Sequence, residues 1–500
     1  MANPDLIPGQ FWAKPGPIAG PGRLQARINR PAYRSFHIIR RSIPGKARPQ
    51  TTRIVSSAMP KIAASLLILA MVPALPVGTA SAAPQSRAEY LGDPVNYGSP
   101  ERDDAVARLM QAMDSGKADM QWDEERGWLP ALLTAFDVEA SSQVLVFSKT
   151  SLQNNRISPR SPRAIYFGES AYFAWIPGAP IMEVTTMDPV QGPTFYSLAQ
   201  KPGVPTFTRR DNECLSCHGS SSTRHWPGNL VRSVHPDPRG FPILRSGTHL
   251  TTAASPLEER WGGWYVTGTH GDQRHMGNVT VEKVDRDVVR GEEERIDVNA
   301  GANVTDLSRH FNTNTYLTPH SDIIALMVME HQAETHNMIA RGSYKGRIAG
   351  AHQSVMNGIL GDPEGHVSES TQRRFERAAQ DIVDQILFRT ELQLTQPITG
   401  TSTFTDDFAR GAPRDSKGRS LFDFDLGKRL FTYPCSYLVY SEAFDHLPTP
   451  VLEEVWAELW EILHGREVSR DFPDLSSEDR TNILEILLET KEGLPASWRL

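Results

Sequence analysis

The stretch AIYFGESAYFAWIPGAPIMEVTTM, Ala164–Met187, decides the fold. Glycine, serine and proline break it into three short runs: AIYFG (Ala164–Gly168), AYFAWIP (Ala171–Pro177) and MEVTTM (Met182–Met187). Each run is aromatic or β-branched and bounded by turn formers, which is the texture of a strand. Upstream, VLVFS (Val144–Ser148) reads the same way. Downstream, so do WGGWYVTG (Trp261–Gly268) and NVTVEKV (Asn278–Val284).

On either side of this region the texture is helical. Asp104–Met113 (DAVARLMQAM) predicts a short helix. Near residue 310 the pattern changes for good. Thr318 can cap a helix with Pro319 at its first position, running through SDIIALMVMEHQAETHNMIA. Further helices are expected over about Thr371–Leu394, from Thr449-Pro450 to Gly465, and from Ser476 to Gly493. Ser476 and Asp479 are spaced as a capping pair. The fold class is α+β: a strand-rich part followed by a mostly helical C-terminal segment.

Charge divides the chain further. Residues 1–83 carry eleven of the 52 Lys and Arg and one of the 59 Asp and Glu, leaving a net charge of −17 from Pro84 onward. So acidic a body does not suit nucleic acid and would suit a basic redox partner. Met59–Ala83 has the order of a secretory signal: Lys61, the apolar run Ile62–Val72, and the small-residue site Ala80-Ser81-Ala82. The 58 residues before it are rich in Pro, Gly and Arg. They are expected to be a disordered extension or to lie upstream of a true start at Met59. No later segment has the roughly 20 apolar residues of a membrane span. The mature chain is expected to be periplasmic or secreted.

Three cysteines exclude a disulfide scaffold. Two of them form Cys214-Leu215-Ser216-Cys217-His218, a C-x-x-C-H motif expected in a loop-like region. Thiols at this spacing can add to the two vinyl groups of one haem, with the following histidine under the iron. A redox C-x-x-C expects a thioredoxin-like context, and a zinc site needs a second ligand pair; neither is evident. CLSCHG resembles the haem-attachment site of c-type cytochromes. That resemblance implies one covalent haem c, held by Cys214 and Cys217 with His218 as proximal iron ligand. The segments Gly240–Ile243 and Arg260–Trp264 resemble periplasmic haem sensor domains with a PAS-like sheet. The chain as a whole is similar to uncharacterised secreted monohaem cytochrome c domain proteins. The expected organisation is an extension (1–58), a signal peptide (59–83), an α+β haem domain (84–310) and a helical domain (311–500).

The sixth iron position decides what such a haem does. His225, His235, His249, His270, His275 and Met276 follow the motif, and the HGDQRHMGN stretch makes His270, His275 and Met276 the expected sixth-ligand candidates. In Glu330–His336 (EHQAETH), His331 and His336 are five apart, about 140° around a helix, and do not converge. They read as a polar stripe on a helix whose Leu326, Met327 and Met338 pack inward. Trp226, Trp261, Trp264 and Tyr265 are haem wall or core, and Cys435 reads as a buried small hydrophobe. The leading expectation is an exported monohaem cytochrome transferring one electron. A haem peroxidase or oxidase and a haem-based sensor are the alternatives. For such an enzyme Arg224, His225 or His275 is expected to serve as a distal acid–base group, and no further catalytic residue is assigned.

Overall fold

The structure is a computed structural model and describes residues 88–281, 296–466 and 470–499. The extension and signal segment, and residues 282–284 of the NVTVEKV run, lie outside them. The described residues form one compact unit.

The architecture is α+β. Its centre is a seven-stranded antiparallel sheet ordered β6-β5-β4-β3-β2-β1-β9. The strands are β1 Val144–Val146, β2 Arg163–Phe167, β3 Ala171–Trp175, β4 Ile181–Asp188, β5 Gly192–Ala199, β6 Phe207–Arg209 and β9 Trp264–Tyr265. A small separate ribbon pairs β7 Arg232–Val234 with β8 Thr248–Leu250. The three runs of the Ala164–Met187 stretch are β2, β3 and β4, joined by tight turns. β5 and β6 escape the sequence pattern because Gly192-Pro193 opens β5 and β6 is only three residues long. WGGWYVTG joins the sheet at Trp264–Tyr265, Gly263 taking a positive φ of 86° immediately before, and Thr267 forms an isolated bridge to Asp322. Residues 278–281 form no strand.

Alternation gives the sheet two apolar faces. Tyr166, Phe173, Met182, Val184 and Leu198 share a core with Val106 of α1 (Ala105–Asp114) and Leu129, Leu132 and Leu133 of α2 (Leu129–Ala135). Val144, Val146, Phe167 and Tyr172 share the other core with the C-terminal helices. Each fully buried side chain of this kind contributes about 1.5–3 kcal/mol.

Helix α3 spans Asp211–His218, so the C-x-x-C-H motif is helical, not a loop. Asp211 and Glu213 complement the dipole at its N-terminus. Helix α4, Ile323–Leu360, starts later than the Thr318-Pro319 pair suggests. Asp322 caps it, accepting from the Ile324 N–H at 2.8 Å and from the Thr401 and Ser402 N–H groups. Helices α5 (Glu369–Ile386), α6 (Phe404–Phe408), α7 (Glu442–Asp445), α8 (Thr449–Leu463) and α9 (Ser477–Thr490) complete this layer. α9 carries the Ser476–Asp479 capping box. α5 stops before the expected Leu394, as Phe388 turns left-handed at φ 51°. Among the described residues no helix is long and apolar enough to cross a membrane.

Candidate functional site

One row across the sheet holds the site's back wall. Ile165 pairs with Ala174, Ala174 with Glu183, and Glu183 with Ser197. These side chains share a face with Tyr172, Thr185 and Phe195, whose strands pair in the same register. α3 and α4 stand against that face and leave a cavity of about 530 Å³. Cofactor pockets commonly span about 300–1,000 Å³. Cys214, Cys217 and His218 all line it, and Met329 and Ala333 of α4 contribute to its wall.

α3 is held by its own first turn. Arg209 pairs with Asp211 at 2.8 Å, and Arg210 donates to Ser197 Oγ at 2.9 Å and pairs with Glu213 at 3.3 Å. Phe195 lies under the His218 ring, centroids 4.7 Å apart. His218 Nδ1 donates to the Gly228 carbonyl oxygen at 2.8 Å, so Nε2 carries the lone pair. Burial lowers the His218 pKa, which keeps the imidazole neutral and able to ligate. Burial, helped by Glu183 and Glu213, pushes the Cys214 thiol up to about 12. Cys214 is half-buried and Cys217 exposed, and neither is in a disulfide. Lys149, Arg163, Arg210 and Arg232 put positive charge on the wall, with Arg163 committed to Glu183 at 2.9 Å.

The three expected sixth-ligand residues do not line this cavity. Each is buried, and each spends a donor atom on the protein. His275 Nδ1 accepts from the Gly277 N–H at 3.0 Å, and His270 Nε2 accepts from the Asn303 N–H at 3.0 Å. Met276 Sδ accepts from Ser233 Oγ at 3.7 Å. The His270 and His275 rings lie 4.8 Å apart, and burial pushes His275 down to about 3. Among the described residues of the lining, His218 is the only histidine and Met329 the only thioether. Nothing in the sequence near the motif signals Met329, which reaches the site from more than a hundred residues away.

The polar stripe expected on α4 is interior. His331 and His336 are each 1% exposed, and burial pushes both down to about 3. They diverge as their spacing requires: His331 Nε2 meets Ser436 Oγ at 2.7 Å, while His336 Nδ1 meets Tyr172 Oη at 3.0 Å. Leu326 and Met327 pack inward, and Met338 is half-buried. Cys435 is fully buried, with its thiol pushed far up. Trp261 and Tyr265 belong to the core; Trp264 is core and also cavity wall; Trp226 stacks on Tyr344.

The arrangement offers two thiols and one neutral imidazole to a single cofactor-sized space, with cations around it. These are the donors a covalently held haem requires, and the residues present fit one. No family model, curated protein or solved structure matches the chain.

Proposed function

We propose that the protein is an exported monohaem c-type cytochrome that passes one electron to and from a partner protein. The observation that carries this reading is the meeting of Cys214, Cys217 and the Nδ1-anchored His218 in one cavity. Bound haem would supply a reversible one-electron couple. Cys214 and Cys217 would hold it through thioethers, and His218 Nε2 would take the proximal position. The Gly228 carbonyl orients that imidazole and raises its basicity. Met329 is our candidate for the sixth position, because it is the lining's neutral soft donor. Lys149, Arg210 and Arg232 suit the two carboxylates of the haem edge. The net charge of −17 from Pro84 onward suits a basic partner, docking by electrostatic steering.

A second reading, a haem peroxidase, oxidase or sensor, draws on the absence of another histidine from the described lining. An iron without a strong sixth ligand is open to peroxide or a small gas. The optical spectrum of the mature protein, produced with c-haem maturation and recorded oxidised and dithionite-reduced, separates the two. Sharp low-spin α and β bands support electron transfer. A broad high-spin spectrum supports the second reading. A chain without haem absorbance overturns both.

A further inference from the structure

A second, smaller cavity of about 190 Å³ lies on the other side of α4, between the start of that helix and the loop after α5. Its wall is unusually charged. Among the described residues, Glu330, Glu391, Glu258 and Asp272 line it, against one cation, Arg260. Arg260 is already committed. Its Nη1 meets Glu330 Oε2 at 3.0 Å, its Nε the Ser255 carbonyl at 2.9 Å, and its Nη2 the Ala253 carbonyl at 3.0 Å. Trp261 Nε1 donates to the other Glu330 oxygen at 2.6 Å. Glu330 is therefore satisfied by the protein itself.

Glu391 is not. It accepts one bond, from the Leu430 N–H at 3.2 Å, and among the described residues no ion pair reaches Glu391, Glu258 or Asp272. Burial pushes the Glu391 carboxyl up to about 7, outweighing the Leu430 N–H and the pull of Arg260 and Arg429. A second polar group in the wall has one nitrogen without a partner. His331 is 1% exposed, lines the cavity, and makes no hydrogen bond through Nδ1. Buried polar atoms without partners are rare in folded proteins and call for an explanation. Phe388 stacks on His331 at 4.2 Å and presents an aromatic wall from a left-handed backbone, φ 51°. Such strain in a bulky residue collects at functional positions.

We infer that this cavity binds a small organic cation, a protonated amine, with its charge on Glu391 and its apolar part against Phe388 and Met327. Excess negative charge selects the sign of the ligand. The small volume limits its size. The aromatic wall gives a cation a favourable face. The site is separate from the one lined by Cys214, Cys217 and His218, and does not depend on haem.

Isothermal titration at pH 8 with benzylammonium and with benzoate, its anionic counterpart of similar size, tests this. Benzylammonium should give saturable one-site heat, benzoate none, and Glu391→Gln should weaken the amine by about tenfold or more. A melting curve checks that the variant folds. If Glu391→Gln does not fold, Asp272→Asn at the exposed mouth takes its place, with a smaller loss expected. The inference is overturned if wild type gives no saturable heat with the amine, if benzoate binds as well, or if the substituted protein binds the amine unchanged.

Discussion

Asn337 and Asn229 exchange two hydrogen bonds. The Asn229 N–H donates to Asn337 Oδ1 at 2.7 Å, and Asn337 Nδ2 donates to the Asn229 carbonyl at 2.9 Å. One side chain of α4 thus fixes the backbone beside Gly228, whose carbonyl orients His218. Asn337→Ala leaves two backbone groups without these partners, a loss of about 1–3 kcal/mol each where buried. We expect a lower melting temperature and a shifted haem reduction potential, with the haem still attached. An unchanged potential would mean that the turn holds His218 without α4.

Met329 and Met276 separate the cavity from the sequence expectation. Met329→Leu keeps the volume and should cost less than about 1.5 kcal/mol. It should convert a low-spin spectrum toward high spin. Met276→Leu, outside the cavity, should leave the spectrum as it is. The reverse pattern would restore Met276 as the ligand.

Arg260 and Glu330 form a buried ion pair at 3.0 Å. Burial raises the Glu330 carboxyl above its usual range, against the pull of Arg260 and Trp261. Arg260→Ala strands that carboxyl and should destabilise by about 3–5 kcal/mol in denaturant melts. The double variant R260M/E330L should lose less than the single one. Equal losses would show that the pair's geometry matters more than its charge.

Glu391 gives a pH signature. Its folded pKa is raised from an ordinary 4.5 to about 7, so the folded state favours the protonated form. Its contribution is fully present below pH 4.5 and is lost as pH rises through about 7. Denaturant midpoints of the wild type and Glu391→Gln, taken at pH 5 and pH 8, should differ in slope, with the variant flatter. Parallel slopes would contradict the shift.

Much of the fold was legible because it rests on local patterns. The Ala164–Met187 stretch gave β2 to β4 through alternation and turn formers, and Ser476–Asp479 announced α9. What failed needed tertiary information. The C-x-x-C-H segment is helical and packs on β5 through Phe195, which no local pattern encodes. Asp322 rather than Thr318 starts α4 because a distant turn, Thr401-Ser402, also binds its carboxylate. The site divides in the same way. Cys214, Cys217 and His218 carry their chemistry in their spacing. Proximity in sequence favoured His270, His275 and Met276, but folding sends them to hydrogen bonds elsewhere and brings Met329 to the cavity. The second cavity was invisible in sequence, since Glu330 and Glu391 are 61 residues apart, on α4 and in the loop after α5.

A covalent haem on Cys214 and Cys217 changes the mass of the chain. The most direct test is the intact mass, under denaturing conditions, of the mature chain purified from a periplasm with c-haem maturation. The expected result is the mass of the polypeptide plus one haem, resistant to acidic solvent extraction, and a chain without covalent haem when Cys214 and Cys217 are both replaced by alanine. A wild-type chain at its bare polypeptide mass, with both thiols free to react with an alkylating agent, would contradict it.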